Sequence, residues 1–345
     1  MADLERSQSR HRTVAFWLLI CCALVFAMVV LGGFTRLTGS GLSMADWRPL
    51  MGWLPPMSDI EWQRVFDLYK ETPEYRSVNS HMDLTAFRGI FWLEFLHRLL
   101  GRTIGIVFLL PLVFFFAKGY IRPAEWAKYL SMFVLGGLQG VLGWYMVKSG
   151  LVDVPHVSQY RLTAHLVAAF LIYAYMFWVA MSLLFPNTNA LRHPWYGKSL
   201  ALTVLISTTI VSGGFVAGLK AGKIYNTFPM MGDDWIPPGT MALEPWWRNF
   251  FDNMTTVQLD HRLLAFATLL SVIAFWLKAR QATLPVRTRP AVNALLHTAI
   301  AQVVLGITVL LFSVPIFLGA THQAVAMLLF TVSLYITHSL RRESR

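Results

Sequence analysis

The sequence predicts an all-α integral membrane protein, eight transmembrane helices arranged as two tandem four-helix bundles. Three observations predict it. Of 345 residues 56% are hydrophobic and only 14% charged, against roughly a quarter charged in ordinary soluble domains, and mean hydropathy is +0.52. The apolar residues gather into eight runs of about 20 residues, the length that crosses a ~30 Å hydrocarbon core as a helix. The short motifs of the first four runs recur, in order, in the last four. Disorder, a collagen-like fibre and a small disulfide scaffold are excluded by the same composition.

The runs fall at 14–34, 89–117, 127–147, 162–185, 199–219, 256–277, 292–312 and 317–338. The first is too long for a signal-peptide core and lacks a small-residue cleavage site, so it reads as a retained span. Cys21 and Cys22 lie within it; neighbours on a helix point about 100° apart, which disfavours a disulfide between them. With the N-terminus inside, the cytoplasmic segments hold 15 Lys/Arg (Lys128 at a span edge included) and four acids, Asp3, Glu5, Glu125 and Glu343. The outer segments hold 11 basic and 12 acidic residues. The net charge of +11 is therefore a topology signal with both termini cytoplasmic. No basic, aromatic-interleaved face remains for nucleic acid. No long Arg/Ser-rich transit peptide precedes the first span, which favours a bacterial inner membrane.

The repeat is read from four matched elements. Gly32-Gly33-Phe34 closes span one and Gly213-Gly214-Phe215 closes span five. Each precedes a long outer loop, with Met51-Gly52-Trp53-Leu54-Pro55-Pro56 in one and Met231-Gly232 and Trp235-Ile236-Pro237-Pro238 in the other. Span two carries His97-Arg98-Leu99-Leu100 and span six His261-Arg262-Leu263-Leu264. Span three has Gln139-Gly140-Val141-Leu142-Gly143, span seven Gln302-Val303-Val304-Leu305-Gly306. Span four opens on Thr163-Ala164-His165, span eight on Ala320-Thr321-His322. The halves are residues 1–190 and 191–345. An even number of spans gives both the same orientation, related by a pseudo-twofold along the membrane normal.

Ten histidines sort by depth. His11, His193, His297 and His338 fall near the cytoplasmic face, and His81 and His156 in outer loops, where solvated or interfacial roles are expected. His97, His165, His261 and His322 lie one to three turns inside the outer ends of the even-numbered spans. One helical histidine is ordinarily a core residue bonded to a carbonyl. Four at matched depth, two per half, point instead to function, because ionisable groups in hydrocarbon are costly. Two imidazoles across a four-helix bundle suit both axial positions of a haem iron, one haem per half. A di-iron site would need a second E-x-x-H and two more glutamates, whereas Gln258-Leu259-Asp260-His261 matches Glu94-Phe95-Leu96-His97. Zinc would need about four ligands, more than either half offers.

The Glu94/Gln258 difference makes the first half the reaction site and leaves the second a redox or structural haem. A buried carboxylate is costly unless it pairs or reacts, and it can donate or accept a proton; pairing with Arg98 at i+4 is the plainer role. Asp260 points about 100° from His261 and reads as a helix-end partner. Arg98 and Arg262 are candidates for haem propionates or for snorkelling to the interface, and Arg36 and Arg102 are weaker candidates. Trp47, Trp53, Trp62, Trp235, Trp246 and Trp247 read as interfacial anchors. Thr38-Gly39-Ser40-Gly41 lacks the lysine and strand–helix setting of a phosphate loop.

The run Gly32-Gly33-Phe34-Thr35-Arg36-Leu37-Thr38-Gly39-Ser40-Gly41-Leu42-Ser43, Glu94 with His97-Arg98, and the duplicated histidine pairs resemble the haem A synthase family. The resemblance covers essentially the whole chain. One bacterial branch carries a cysteine pair in the first outer loop; with none there, this chain is more similar to the branch shared by mitochondria and related bacteria. The resemblance implies oxidation of the C8 methyl of haem O to a formyl, giving haem A through a hydroxymethyl intermediate, with O2 and a membrane electron donor. It implies that His97 and His165 hold the substrate haem, that Glu94 is the essential carboxylate, and that His261 and His322 ligate haem b. Haem O synthase and cytochrome oxidase assembly factors are the implied neighbours, and a homo-oligomer is compatible. Two other classes stay open on the residues alone: a di-haem b-type cytochrome that only transfers electrons, and a duplicated transporter using the histidines as a proton relay.

Overall fold

In the computed structural model, residues 2–46, 52–152, 156–186 and 193–341 are described. Trp47 and Met51 of the first outer loop, Arg192 of the linker, and Arg342, Glu343 and Arg345 lie outside the described residues, as do the side chains of Asp3, Glu5 and Arg6. The eight expected runs are helices long and apolar enough to cross a membrane: Gln8–Leu37, Leu84–Ala117, Pro123–Leu151, Gln159–Leu184, Tyr196–Gly218, Met254–Ala279, Thr288–Leu311 and Ile316–Ser339. The helices outrun the apolar runs at several ends because capped polar turns continue the hydrogen-bond ladder beyond the hydrocarbon-length core. Asp83, for example, caps the second span by accepting from Ala86 N–H at 2.8 Å. Among the described residues no β-strand forms.

In chain order the helices are α1 (Ala2–Leu37), α2 (Asp59–Lys70), α3 (Leu84–Ala117), α4 (Trp126–Val152), α5 (Gln159–Leu184), α6 (Tyr196–Gly218), α7 (Asn249–Asp252), α8 (Met254–Ala279), α9 (Thr288–Leu311) and α10 (Ile316–Ser339). They belong to two compact units, Ala23–Ala169 and a second that groups Met1–Cys22 with Phe170–Arg345.

Within Ala23–Ala169, α3 packs on α4 and on the short amphipathic helix α2. Helix α2 lies in a stretch read from the sequence only as outer loop. Ser58 caps it, its hydroxyl accepting from Glu61 N–H at 3.3 Å, while the Glu61 carboxylate takes Met57 N–H at 2.6 Å, a reciprocal capping arrangement. Trp62, Phe66 and Tyr69, spaced at helical period, are buried against Phe87, Phe91 and Phe95 of α3. Trp62 meets Phe91 edge-on with centroids 5.0 Å apart, and Tyr69 stacks on Phe87 at 5.1 Å. Trp62 is therefore a core residue rather than the interfacial anchor expected of it; Trp53, Trp235, Trp246 and Trp247 are exposed. Burial pushes the Tyr69 phenol above its ordinary range, so it remains protonated. It donates to Glu74 Oε2 at 3.1 Å and accepts from Asn79 Nδ2 at 2.7 Å.

In the other unit α6 packs on α8 and α10, and α9 on α8 and α10, closing a ring of four helices. Hydroxyls join α6 to α10: Ser199 lies 2.7 Å and Thr203 2.9 Å from Thr337 Oγ1. Cys21 and Cys22 are buried free thiols. His193 and His338 are buried rather than solvated, since each finds partners at a helix end: His193 Nε2 lies 3.1 Å from Thr283 O, and His338 Nε2 3.1 Å from Ser182 Oγ. His81, His156 and His297 are exposed as expected.

Candidate haem-binding site

The end of α1 delivers the first polar cluster. Gly39, at φ +70°, takes the left-handed turn that glycine allows without steric cost. Ser40 N–H then donates to Thr35 O at 2.9 Å and Gly39 N–H to Arg36 O at 3.2 Å, the paired bonds of a Schellman end. The chain folds back so that Ser43 Oγ stands 2.7 Å from Glu94 Oε2, to which Met44 N–H also donates at 2.8 Å. The other carboxylate oxygen takes Arg98 Nη2 at 2.5 Å. Glu94 is 3% exposed, so its charge is matched by three donors on both oxygens. The i+4 pairing is formed, and a hydroxyl and a backbone amide supplement it.

Gln258 occupies the equivalent position with the opposite hydrogen-bonding polarity. Its amide donates to the loop carbonyl of Tyr225 at 3.0 Å, whereas Glu94 accepts from Ser43 and Met44 of the loop after α1. The two arginines behave alike. Arg98 donates to Met44 O at 3.1 Å, and Arg262 to Tyr225 O and Thr227 O, both at 3.1 Å. Each thus pins the loop that follows the preceding span. Arg102 lies 6.0 Å from the Trp53 ring centroid.

Each of the four histidines stands against a glycine of a neighbouring helix. A Cβ on Gly32 would come 3.1 Å from His97 Cε1, and one on Gly143 3.0 Å from His165 Cε1. In the other unit a Cβ on Gly213 would come 3.1 Å from His261 Cε1, and one on Gly306 3.0 Å from His322 Cε1. These four glycines belong to the duplicated Gly-Gly-Phe and Gln-x-x-x-Gly motifs, which let an imidazole lie flush against a helix backbone, a purpose the motifs alone do not reveal. The matched glutamines reach the same rings or their backbone: Gln139 Nε2 donates to His165 O at 2.8 Å, and Gln302 Nε2 lies 3.3 Å from His322 Nε2. His165 is within electrostatic reach of His97, and His322 of His261. Hence α1, α3, α4 and α5 supply one histidine pair with its glycines, and α6, α8, α9 and α10 supply the other.

The donor set fits a haem. Two imidazoles per unit match the two axial positions of its iron. The glycines form cradles that a Cβ would fill, and Nδ1 of His97, His165 and His322 is buried with no hydrogen-bond partner. Among the described residues no three of His, Cys, Asp and Glu gather closely enough to hold a bare metal ion.

The family described as cytochrome oxidase assembly protein matches residues 15–334. The haem A synthase of Nitrosospira multiformis is 52% identical over 337 residues, covering 96% of this chain and 95% of that one. That of Arabidopsis thaliana is 46% identical over 351 residues, covering 97% and 76%, and that of Homo sapiens 42% identical over 350 residues, covering 97% and 84%.

Proposed function

The chain belongs to the haem A synthase family, and from that membership we propose that it oxidises the C8 methyl of haem O to the formyl of haem A in the unit carrying Glu94. Two hydroxylations, the first giving a hydroxymethyl group, followed by loss of water, account for the change, with O2 and a membrane electron donor as co-reactants. The observation that carries the reading is the pairing of glycine-backed imidazoles: His97 with His165 for the substrate, His261 with His322 for a resident haem b.

His261 and His322 would hold haem b, which would supply a redox centre. The chain's own residues bind, orient and handle protons. Glu94, held by Ser43, Met44 N–H and Arg98, is fixed on both oxygens beside His97. Its ion pair with Arg98 and its two further donors hold it in position to accept a proton or stabilise positive charge. Gln258 cannot do this, because a neutral amide is too weak a base to take up a proton near neutral pH. That asymmetry favours an enzyme over a cytochrome with two equivalent haems. Arg98 and Arg262 hold the loops after spans one and five, and their guanidinium groups are of the kind suited to propionates.

The two halves, 1–190 and 191–345, are read as same-orientation bundles about a pseudo-twofold along the membrane normal, with both termini cytoplasmic. The chain is placed in a bacterial inner membrane with its haem sites toward the periplasm, where haem O synthase and cytochrome oxidase assembly factors are the expected neighbours. Glu94→Gln is expected to retain both haems yet yield no formyl product, read by pyridine haemochrome spectra and product chromatography. Substantial haem A from this variant would reject the role of Glu94.

A further inference from the structure

The four histidines are not held alike. Ser212 Oγ lies 2.8 Å from Thr209 O and 2.8 Å from His261 Nδ1. Both contacts are satisfied at once when the single hydroxyl hydrogen goes to Thr209 O and a lone pair of Ser212 faces the ring. His261 Nδ1 must then carry the proton, which leaves Nε2 unprotonated and able to bind a metal. Ser212 immediately precedes Gly213, and the corresponding residue before Gly32 is Leu31, which has no hydroxyl. His97 Nδ1 is accordingly buried without a hydrogen-bond partner, although Gly32 and Gly213 back their rings at the same 3.1 Å.

We propose that Ser212 is a positioning residue that locks His261 as a tightly held haem ligand, and that Leu31 in the matching place leaves His97 the exchangeable ligand of the substrate site. The proposal rests on the reading that these histidines ligate haem. An acceptor on the far ring nitrogen fixes the tautomer and ring orientation and makes the ligand more basic. The resident haem has one such ligand in His261, its other ligand His322 having an unpartnered Nδ1, whereas the substrate site has none. The latter suits a haem that must enter, be modified and leave, since an imidazole without such a bond is free to choose tautomer and to turn. One position in a duplicated motif thereby separates a permanent cofactor from a passing substrate.

The test uses the full-length protein in detergent, with haem release to apomyoglobin and haem reduction potential as readouts. Ser212→Ala is expected to weaken haem b retention roughly 10–100-fold, the range typical of lost outer-shell partners. It is also expected to raise the haem b potential, because a less basic ligand stabilises the ferric state less. Ser212→Thr, which keeps the hydroxyl, restores both. Leu31→Ser is expected to slow release of the haem bound by His97. If wild-type protein holds haem b but neither release nor potential responds to Ser212→Ala, the proposal is overturned and the haem assignment stands. Unchanged release in Leu31→Ser overturns its second half. Wild-type protein without haem b, or haem b retained after His261→Ala, defeats the assignment itself.

Discussion

Gly143 and His165 are in contact through the missing side chain: a Cβ on the glycine would lie 3.0 Å from Cε1 of the imidazole. Side-chain carbons rarely approach so closely, so the bare backbone of α4 determines where the ring of α5 sits. Gly143→Val is predicted to displace the ring and to lower haem content severalfold. Gly136→Val on the same helix, where a Cβ would meet nothing within 4 Å, should leave haem content near the wild-type value. Haem per polypeptide, measured on purified protein, compares them.

Glu94 and Arg98 form a buried ion pair, with side-chain exposures of 4% and 9%. Removing one partner leaves an uncompensated charge, at a cost of about 3–5 kcal/mol. Arg98→Met is therefore expected to lower thermal stability sharply in the wild-type background. In the Glu94→Gln background, where no charge is stranded, the same change should cost much less. Equal losses in the two backgrounds, in a double-mutant cycle of thermal unfolding, would show that the pair is not coupled.

Trp62 anchors α2 to the face of α3 that leads toward Glu94. Trp62→Ala removes a buried aromatic and is expected to cost about 3–5 kcal/mol. Because Phe91 and Phe95 pack in the same cluster and Phe95 adjoins Glu94, formyl production should fall along with stability, while haem b bound by the other unit is retained. Difference spectra and product analysis on the same sample separate the two effects.

The spans were legible in the sequence because hydrocarbon thickness imposes a length that composition reveals. So were the four histidines, whose cost in an apolar run marks them out. Helix α2 was not found, since 12 residues with a polar outer face resemble a loop when only long apolar runs are sought. Its signal was present nonetheless, in the Ser58-x-x-Glu61 cap and in Trp62, Phe66 and Tyr69 at helical spacing. The glycine–histidine contacts join residues 16 to 65 positions apart on different helices, so no local pattern could give them. The polarity reversal between Glu94 and Gln258 was visible as a substitution, but its loop partners, Ser43 and Met44 in one case and Tyr225 in the other, needed coordinates.

Asn249, fully buried, organises the loop between α6 and α8. Its Nδ2 donates to Leu243 O and Trp246 O, both at 2.8 Å, and its Oδ1 accepts from Leu243 N–H and Asn253 Nδ2, both at 2.9 Å. Asn249→Ala leaves buried backbone groups unsatisfied, at about 1–3 kcal/mol each. Limited proteolysis is expected to cut the variant faster between 239 and 249, with Asn249→Asp intermediate.

Haem extracted from purified variants and assigned by mass tests the account most directly. Wild-type protein is predicted to yield haem b together with haem O or haem A. His97→Ala/His165→Ala should lose the haem O and haem A fraction and keep haem b, and His261→Ala/His322→Ala should lose haem b. Colourless wild-type protein, or loss of the same haem from both double variants, would contradict paired imidazoles holding two distinct haems.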